Sequence, residues 1–192
     1  MKTKRVFIVH GWDGNPNSDW YPWLKEVLEN RGFKVEVPKM PNTSEPKIDS
    51  WIGHLKQVVG KLDSNTYFVG HSIGCQAIMR YLEKEDFNGK IKKVIFVAGW
   101  FKLANLEDDE AESIAKPWIE TPINFNKIKQ KLSKLTIFLS SNEPYNFVEY
   151  NSKIFKEKLG AKVIVVKEKG HFSEDDGIIE IEEVLNEFKD IK

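Results

Sequence analysis

The chain has 192 residues, 41% of them hydrophobic, and its 29 lysines and arginines balance 29 aspartates and glutamates. That length supports one well-buried core and is short for two, so a single domain over residues 1–192 is expected. A formal net charge of zero gives no field to recruit nucleic acid or an acidic membrane, and no apolar run reaches transmembrane length.

In chain order, Met1-Lys2-Thr3-Lys4-Arg5 runs into a strand-like segment rather than a signal-peptide core, which argues for a cytoplasmic protein. The first strand is expected at Val6 to Val9 and is followed by the turn His10-Gly11-Trp12-Asp13-Gly14. Asp19 is placed to cap a helix with Trp20, Tyr21 and Pro22 in its first turn, and Gly32 sits where that helix should stop. A second strand at Lys34 to Val37 precedes Trp51, Leu55, Val58, Val59 and Leu62, whose spacing predicts an amphipathic helix. The third strand, Thr66 to Val69, runs into Gly70-His71-Ser72-Ile73-Gly74 and then a helix from Cys75 to Leu82. Cys75, the one cysteine, cannot form an internal disulfide and reads as a small buried apolar residue.

Strands at Val94 to Ala98, Thr136 to Leu139 and Lys162 to Val166 complete the set, and Ile178, Ile181, Leu185 and Phe188 form a last helical stripe. The alternation predicts an α/β three-layer sandwich: a mostly parallel sheet of about six strands with helices on both faces. Nothing in the chain has room for a large lid domain. The stretch from Trp100 to Phe125 lacks clean periodicity, and its Trp100, Phe101, Trp118 and Phe125 could wall a pocket. Trp100 and Trp118, with Gly11, are therefore candidate substrate-binding residues.

Ligands of such sheets gather beyond the carboxyl ends of the strands, so the loops there carry the chemistry. Gly-x-Ser-x-Gly between strand and helix reads as a nucleophile elbow, with glycines where side chains would collide. A serine hydroxyl needs a base to take its proton. In the chain order serine, acid, histidine, only His171 of the four histidines follows Ser72. His171 lies directly after the last strand, and as a base it must be neutral, so kcat/KM should rise with pH through an imidazole-like value. Glu143 is the only carboxylate in the loop after the strand ending at Leu139 and is the first candidate for the acid. Asp108 and Asp109, in a segment resembling an acidic helix start, are held in reserve. Backbone N–H groups of Trp12 and Ile73 are candidates for an oxyanion hole. His10 and His71 read as structural, and the histidines lack metal-ligand spacing, so no metal or organic cofactor is expected.

Together, Val9-His10-Gly11-Trp12, Gly70-His71-Ser72-Ile73-Gly74, Lys116-Pro117-Trp118 with Ile128-Lys129, Ser141-Asn142-Glu143-Pro144-Tyr145 and Gly170-His171-Phe172 resemble the small α/β-hydrolase family of retinoblastoma-binding protein nine type serine hydrolases. The similarity spans nearly the whole chain. It implies an α/β-hydrolase fold and esterase-like or amidase-like hydrolysis of small acyl substrates through an acyl-enzyme. In that family the acid is usually an aspartate, where this chain has Glu143. The alternative is a catalytically weak or inactive protein-binding module on the same fold, although the Leu-x-Cys-x-Glu pattern used for retinoblastoma-protein binding is absent. Haloalkane or epoxide chemistry would need a carboxylate at position 72.

Overall fold

Six short runs rich in valine, isoleucine and phenylalanine pair into one all-parallel sheet in a computed structural model that describes residues 3–145 and 147–191. Met1 and Lys2 of the N-terminal reading, and Asn146 in the Glu143 loop, lie outside the described residues. The strands are β1 (Arg5–Val9), β2 (Lys34–Glu36), β3 (Thr66–His71), β4 (Val94–Val97), β5 (Leu135–Ser140) and β6 (Lys162–Val166), in the spatial order β2-β1-β3-β4-β5-β6. Every residue of β3, β4 and β5 is buried, which explains why these strands read as continuous apolar runs rather than alternating ones.

Helices cover both faces: α1 (Tyr21–Asn30), α2 (Ile48–Val59), α3 (Ile73–Lys84), α4 (Asp109–Glu120), α5 (Phe125–Lys131), α6 (Val148–Leu159) and α7 (Glu182–Asn186). On one side Trp20, Leu24 and Leu28 pack with Ile181, Leu185 and Phe188. On the other, Trp51, Leu55, Ile78 and Phe155 belong to the larger core. The winding reverses at β1, which has β2 on one side and β3 on the other. A reversal opens a crevice at the carboxyl ends of the two strands flanking it, and both the Gly11-Trp12 turn and Ser72 emerge there.

Two local expectations are corrected. Asp19 does not cap α1: Trp20 holds the N-cap position without a side-chain bond, and Asp19 takes a left-handed φ of 54° with its carboxylate turned to another loop. The C-terminal stripe is helical only over Glu182–Asn186. Ile181 precedes that helix, and Phe188 follows it in tighter turns such as Phe188 N–H to Leu185 O at 3.1 Å, so Ile181, Leu185 and Phe188 are buried, and Ile178 partly so, without a long helix. Gly32 ends α1 as expected, with φ 84° and its N–H on Glu29 O. The aperiodic stretch after β4 contains α4, capped by Asp108, whose carboxylate accepts the Ala111 N–H at 2.8 Å, with Asp109 in its first turn. Both reserve aspartates thus serve a helix N-terminus, where negative charge is favoured.

Candidate active site

Ser72 stands between β3 and α3 with φ 52° and ψ −122°, a left-handed conformation that a non-glycine residue adopts only when its surroundings enforce it. Its N–H donates to Val97 O at 2.9 Å and its carbonyl accepts the Cys75 N–H at 3.0 Å, so both sides of the turn are fixed. The flanking glycines are required by space. A Cβ at Gly70 would lie 3.0 Å from the Cys75 backbone, and one at Gly74 would lie 2.3 Å from Val9 O. Removing those side chains lets α3 sit directly against the β1 backbone and aims Ser72 into the crevice.

Gly11 packs at the same point: a Cβ on it would be 3.5 Å from Ser72 Cβ. Its N–H is engaged by the Tyr21 hydroxyl at 3.3 Å. By contrast, the Trp12 and Ile73 amides donate to no protein group among the described residues. The Trp12 side chain is held away, its indole N–H on Ser44 O at 3.0 Å.

The loop after β6 brings His171 to this edge, and the loop after β5 brings Glu143. His171 Nδ1 and Glu143 Oε1 are 2.7 Å apart, so the longer carboxylate reaches the ring. Among the described residues, the other carboxylate oxygen, Oε2, is buried without a hydrogen-bond partner. Ser72 Oγ accepts the Trp100 indole N–H at 3.3 Å, and it makes no hydrogen bond to His171 among the described residues. Trp100 is in turn held at its carbonyl by the Gln76 amide, 2.7 Å away. Two residues earlier, Ala98 adopts φ 48° while 2% exposed, a strained backbone in the turn that leads to Trp100. A cavity of about 10 Å³, room for one water, lies among Trp100, Leu103, Tyr145, Glu143 and His171.

Trp118, expected at the pocket, is instead a core residue: its indole N–H bonds Pro46 O at 2.8 Å, and its ring packs on Trp51 and the Arg80 guanidinium. Phe101 and Phe125 pack on each other, and Phe101 also on Phe155, rather than on Ser72. Aromatic residues have the same composition in a core as in a pocket, so the sequence could not separate these. Cys75 is fully buried, and burial pushes its thiol well above the ordinary range, which removes it as a nucleophile. His10 is buried, with its basicity lowered mainly by that burial; Met40 N–H donates to its Nε2, which leaves the proton on Nδ1 facing Gly11 O.

Sequence reasoning missed the residues that hold the two loops together. Asn142 Oδ1 accepts the Gly170 N–H at 2.8 Å, and Ser140 Oγ accepts the Lys169 N–H at 2.9 Å, tying the Glu143 loop to the His171 loop. Asp176 Oδ2 accepts the His171 N–H at 2.7 Å, and also the amide and hydroxyl of Ser173. Burial acts to raise the Asp176 carboxyl, but these bonds and the nearby imidazole outweigh it and hold the group below its usual range. The Ser173-x-x-Asp176 spacing resembles a capping box and was the available signal.

A parallel sheet wound in this order, with a serine on a strained elbow after β3 and a histidine-carboxylate pair after later strands, defines an α/β-hydrolase-type fold. The sequence model of the family described as "Serine hydrolase" matches residues 6–190, and the chain belongs to that family. It is 30% identical over 179 residues to the putative hydrolase YdeN of Bacillus subtilis, covering 91% of this chain and 89% of that protein. To the serine hydrolase RBBP9 of Rattus norvegicus it is 25% identical over 173 residues, covering 88% and 87%. The crystal structure of the B. subtilis ydeN product superposes with a TM-score of 0.87 at 28% identity over 97% of each chain. Est1E of Butyrivibrio proteoclasticus, at 17% identity and a TM-score of 0.71 over 97% of this chain and 87% of its own, shares the fold.

Proposed function

We propose that the chain is a carboxylesterase-like serine hydrolase acting on small acyl substrates as a single domain, with Ser72 as nucleophile, His171 as base and Glu143 as the orienting acid. The observation that carries this reading is the 2.7 Å contact of His171 Nδ1 with Glu143 Oε1, on the sheet edge from which the strained Ser72 emerges. A carboxylate on Nδ1 keeps the proton there and leaves Nε2 free to accept another. Ser72 Oγ, released from the Trp100 indole by rotation about χ1, gives its proton to Nε2 and attacks the acyl carbon. The carbonyl oxygen becomes an oxyanion facing the open Trp12 and Ile73 N–H groups. Collapse expels the alcohol or amine, which takes the proton from Nε2. Water, deprotonated by His171 in the same way, then frees the acid and restores Ser72.

A small acyl group is supported by Trp100, whose indole N–H lies on Ser72 Oγ. A cytoplasmic setting is supported by the single cysteine, which is buried and free. No helix among the described residues is long and apolar enough to cross a membrane. Hydrolysis of p-nitrophenyl acetate tests the reading. Ser72→Ala should lower kcat on the order of a millionfold while the protein stays folded. A folded wild-type protein with no turnover of short esters or amides would instead return the chain to the binding-module alternative.

A further inference from the structure

The residue expected to cap α1 and the two expected in its first turn have another use, because Asp19, Trp20 and Tyr21 all reach the His171 loop or its support. Asp19 Oδ1 accepts the Glu174 N–H at 2.8 Å, and the Asp19 N–H donates to Glu174 Oε2 at 3.2 Å, a reciprocal pair. The Trp20 indole N–H donates to Phe172 O at 3.0 Å. Tyr21 Oη lies 2.6 Å from His71 Nδ1, and His71 Nε2 lies 2.8 Å from His171 O. A carbonyl only accepts, so His71 Nε2 carries the proton. With the ring neutral, Nδ1 accepts from the Tyr21 hydroxyl, whose oxygen accepts the Gly11 N–H at 3.3 Å. The order Gly11 N–H to Tyr21 O–H to His71 to His171 O therefore runs in one direction through buried groups, and each donor has its acceptor.

The chain also has something to restrain. Glu168, Gly170 and Phe172 take φ values of 53°, 53° and 59°, so the His171 loop passes through left-handed backbone three times within five residues. Such a loop keeps its shape only where its peptide groups are held from outside. The His171 N–H is held by Asp176 and the His171 carbonyl by His71, the residue next to Ser72.

We propose that Tyr21 and His71 form a positioning relay that sets the His171 backbone and the Gly11-Trp12 turn relative to Ser72, so that nucleophile, base and oxyanion donors share one hydrogen-bonded frame. This rests on the reading of Ser72 and His171 as nucleophile and base. The groups facing His71 are consistent with a neutral ring. Burial and the neighbouring His171 lower its basicity, His10 adds to that, and Asp19, 4.0 Å from Nδ1, opposes it. Burial and Asp19 also hold the Tyr21 hydroxyl well above its usual range, so it keeps the proton it donates.

The test combines Tyr21→Phe, His71→Leu, His71→Gln and the double variant Tyr21→Phe/His71→Leu, with p-nitrophenyl acetate kinetics and NMR of the His171 Nδ1–H resonance, assigned by its loss in His171→Gln. Tyr21→Phe should lower kcat about tenfold and His71→Leu about a hundredfold, with KM within about twofold. His71→Gln, which keeps a donor, should recover part of that loss. The double variant should lose less than the two single losses combined, since without His71 the hydroxyl no longer reaches the His171 loop and keeps only the Gly11 N–H. The His171 Nδ1–H signal should broaden or shift in each impaired variant. Folded variants that keep wild-type kcat and an unchanged Nδ1–H signal, or whose effects simply add, would overturn the relay. If His71→Leu fails to fold, Tyr21→Phe decides alone. A wild-type protein that turns over no ester fails the proposed function, while the Nδ1–H signal in the variants still decides the relay.

Discussion

At Gly74 a single methyl group has nowhere to go, because the Val9 carbonyl occupies its place. Gly74→Ala has to lift α3 from β1, and urea unfolding should show a loss of about 3 kcal/mol. A smaller loss, below about 0.5 kcal/mol, would mean that the helix and strand are not locked here. Glu143 is tested by an isosteric change. Glu143→Gln leaves a side chain of the same length beside His171 Nδ1 but without the charge that steadies an imidazolium, and kcat should fall by roughly a thousandfold. Full activity in that variant would remove Glu143 as the acid. At this scale the sequence was legible where chemistry restricts both residue type and order. A serine between two glycines and a single histidine downstream of it left few choices, and the structure brings His171 and Glu143 together. Trp118 was misread because nothing in an indole's identity tells pocket from core; its partner is the Pro46 carbonyl, 72 residues away in the chain.

Among the elements, the central strands were readable because burial on both faces demands β-branched and aromatic residues; β3 and β5 run one or two residues further than expected, while β2 and β4 stop one residue earlier. The start of α1 was not readable. An aspartate before a helix normally caps it, but here the Glu174 amide, far along the chain, competes for that carboxylate and wins. The same junction makes a prediction about acid. His71 links the end of β3 to α1 and to the loop after β6, and its basicity is pushed down to about 4 from 6.5, chiefly by burial. Since the folded value lies below the unfolded one, the unfolded chain binds the proton more readily between them. Stability is therefore complete above pH 6.5 and falls as pH drops toward 4, by up to about 3 kcal/mol. Urea unfolding at pH 7, 5.5 and 4.5 measures it, and His71→Gln should have a visibly shallower slope. An equal slope in that variant would place the acid sensitivity elsewhere.

For the molecule as a whole, six parallel strands put the first turn, the Ser72 turn, the Glu143 loop and the His171 loop on one edge, with the reversal of winding between β2 and β3 opening the crevice at β1. At that crevice the Trp100 indole lies on Ser72 Oγ, so Trp100 should set acyl length. Wild-type kcat/KM should fall from acetyl to butyryl to octanoyl nitrophenyl esters. Trp100→Ala should raise the butyryl-to-acetyl ratio about tenfold; an unchanged ratio would mean that acyl groups lie elsewhere. The sequence pointed to Trp100 as one of four aromatics and, with Trp118, as a candidate substrate-binding residue, but its contact with Ser72 joins residues 28 apart in the chain and could not be read there. The account stands most directly on whether Ser72 is an activated nucleophile. A fluorophosphonate probe at neutral pH, followed by intact and peptide mass analysis, measures that. The wild-type protein should gain one adduct at Ser72, His171→Gln should label at least about a hundredfold more slowly, and Ser72→Ala should not label at all. An unlabelled wild-type protein, or labelling at Ser72 that is as fast without His171, would contradict it.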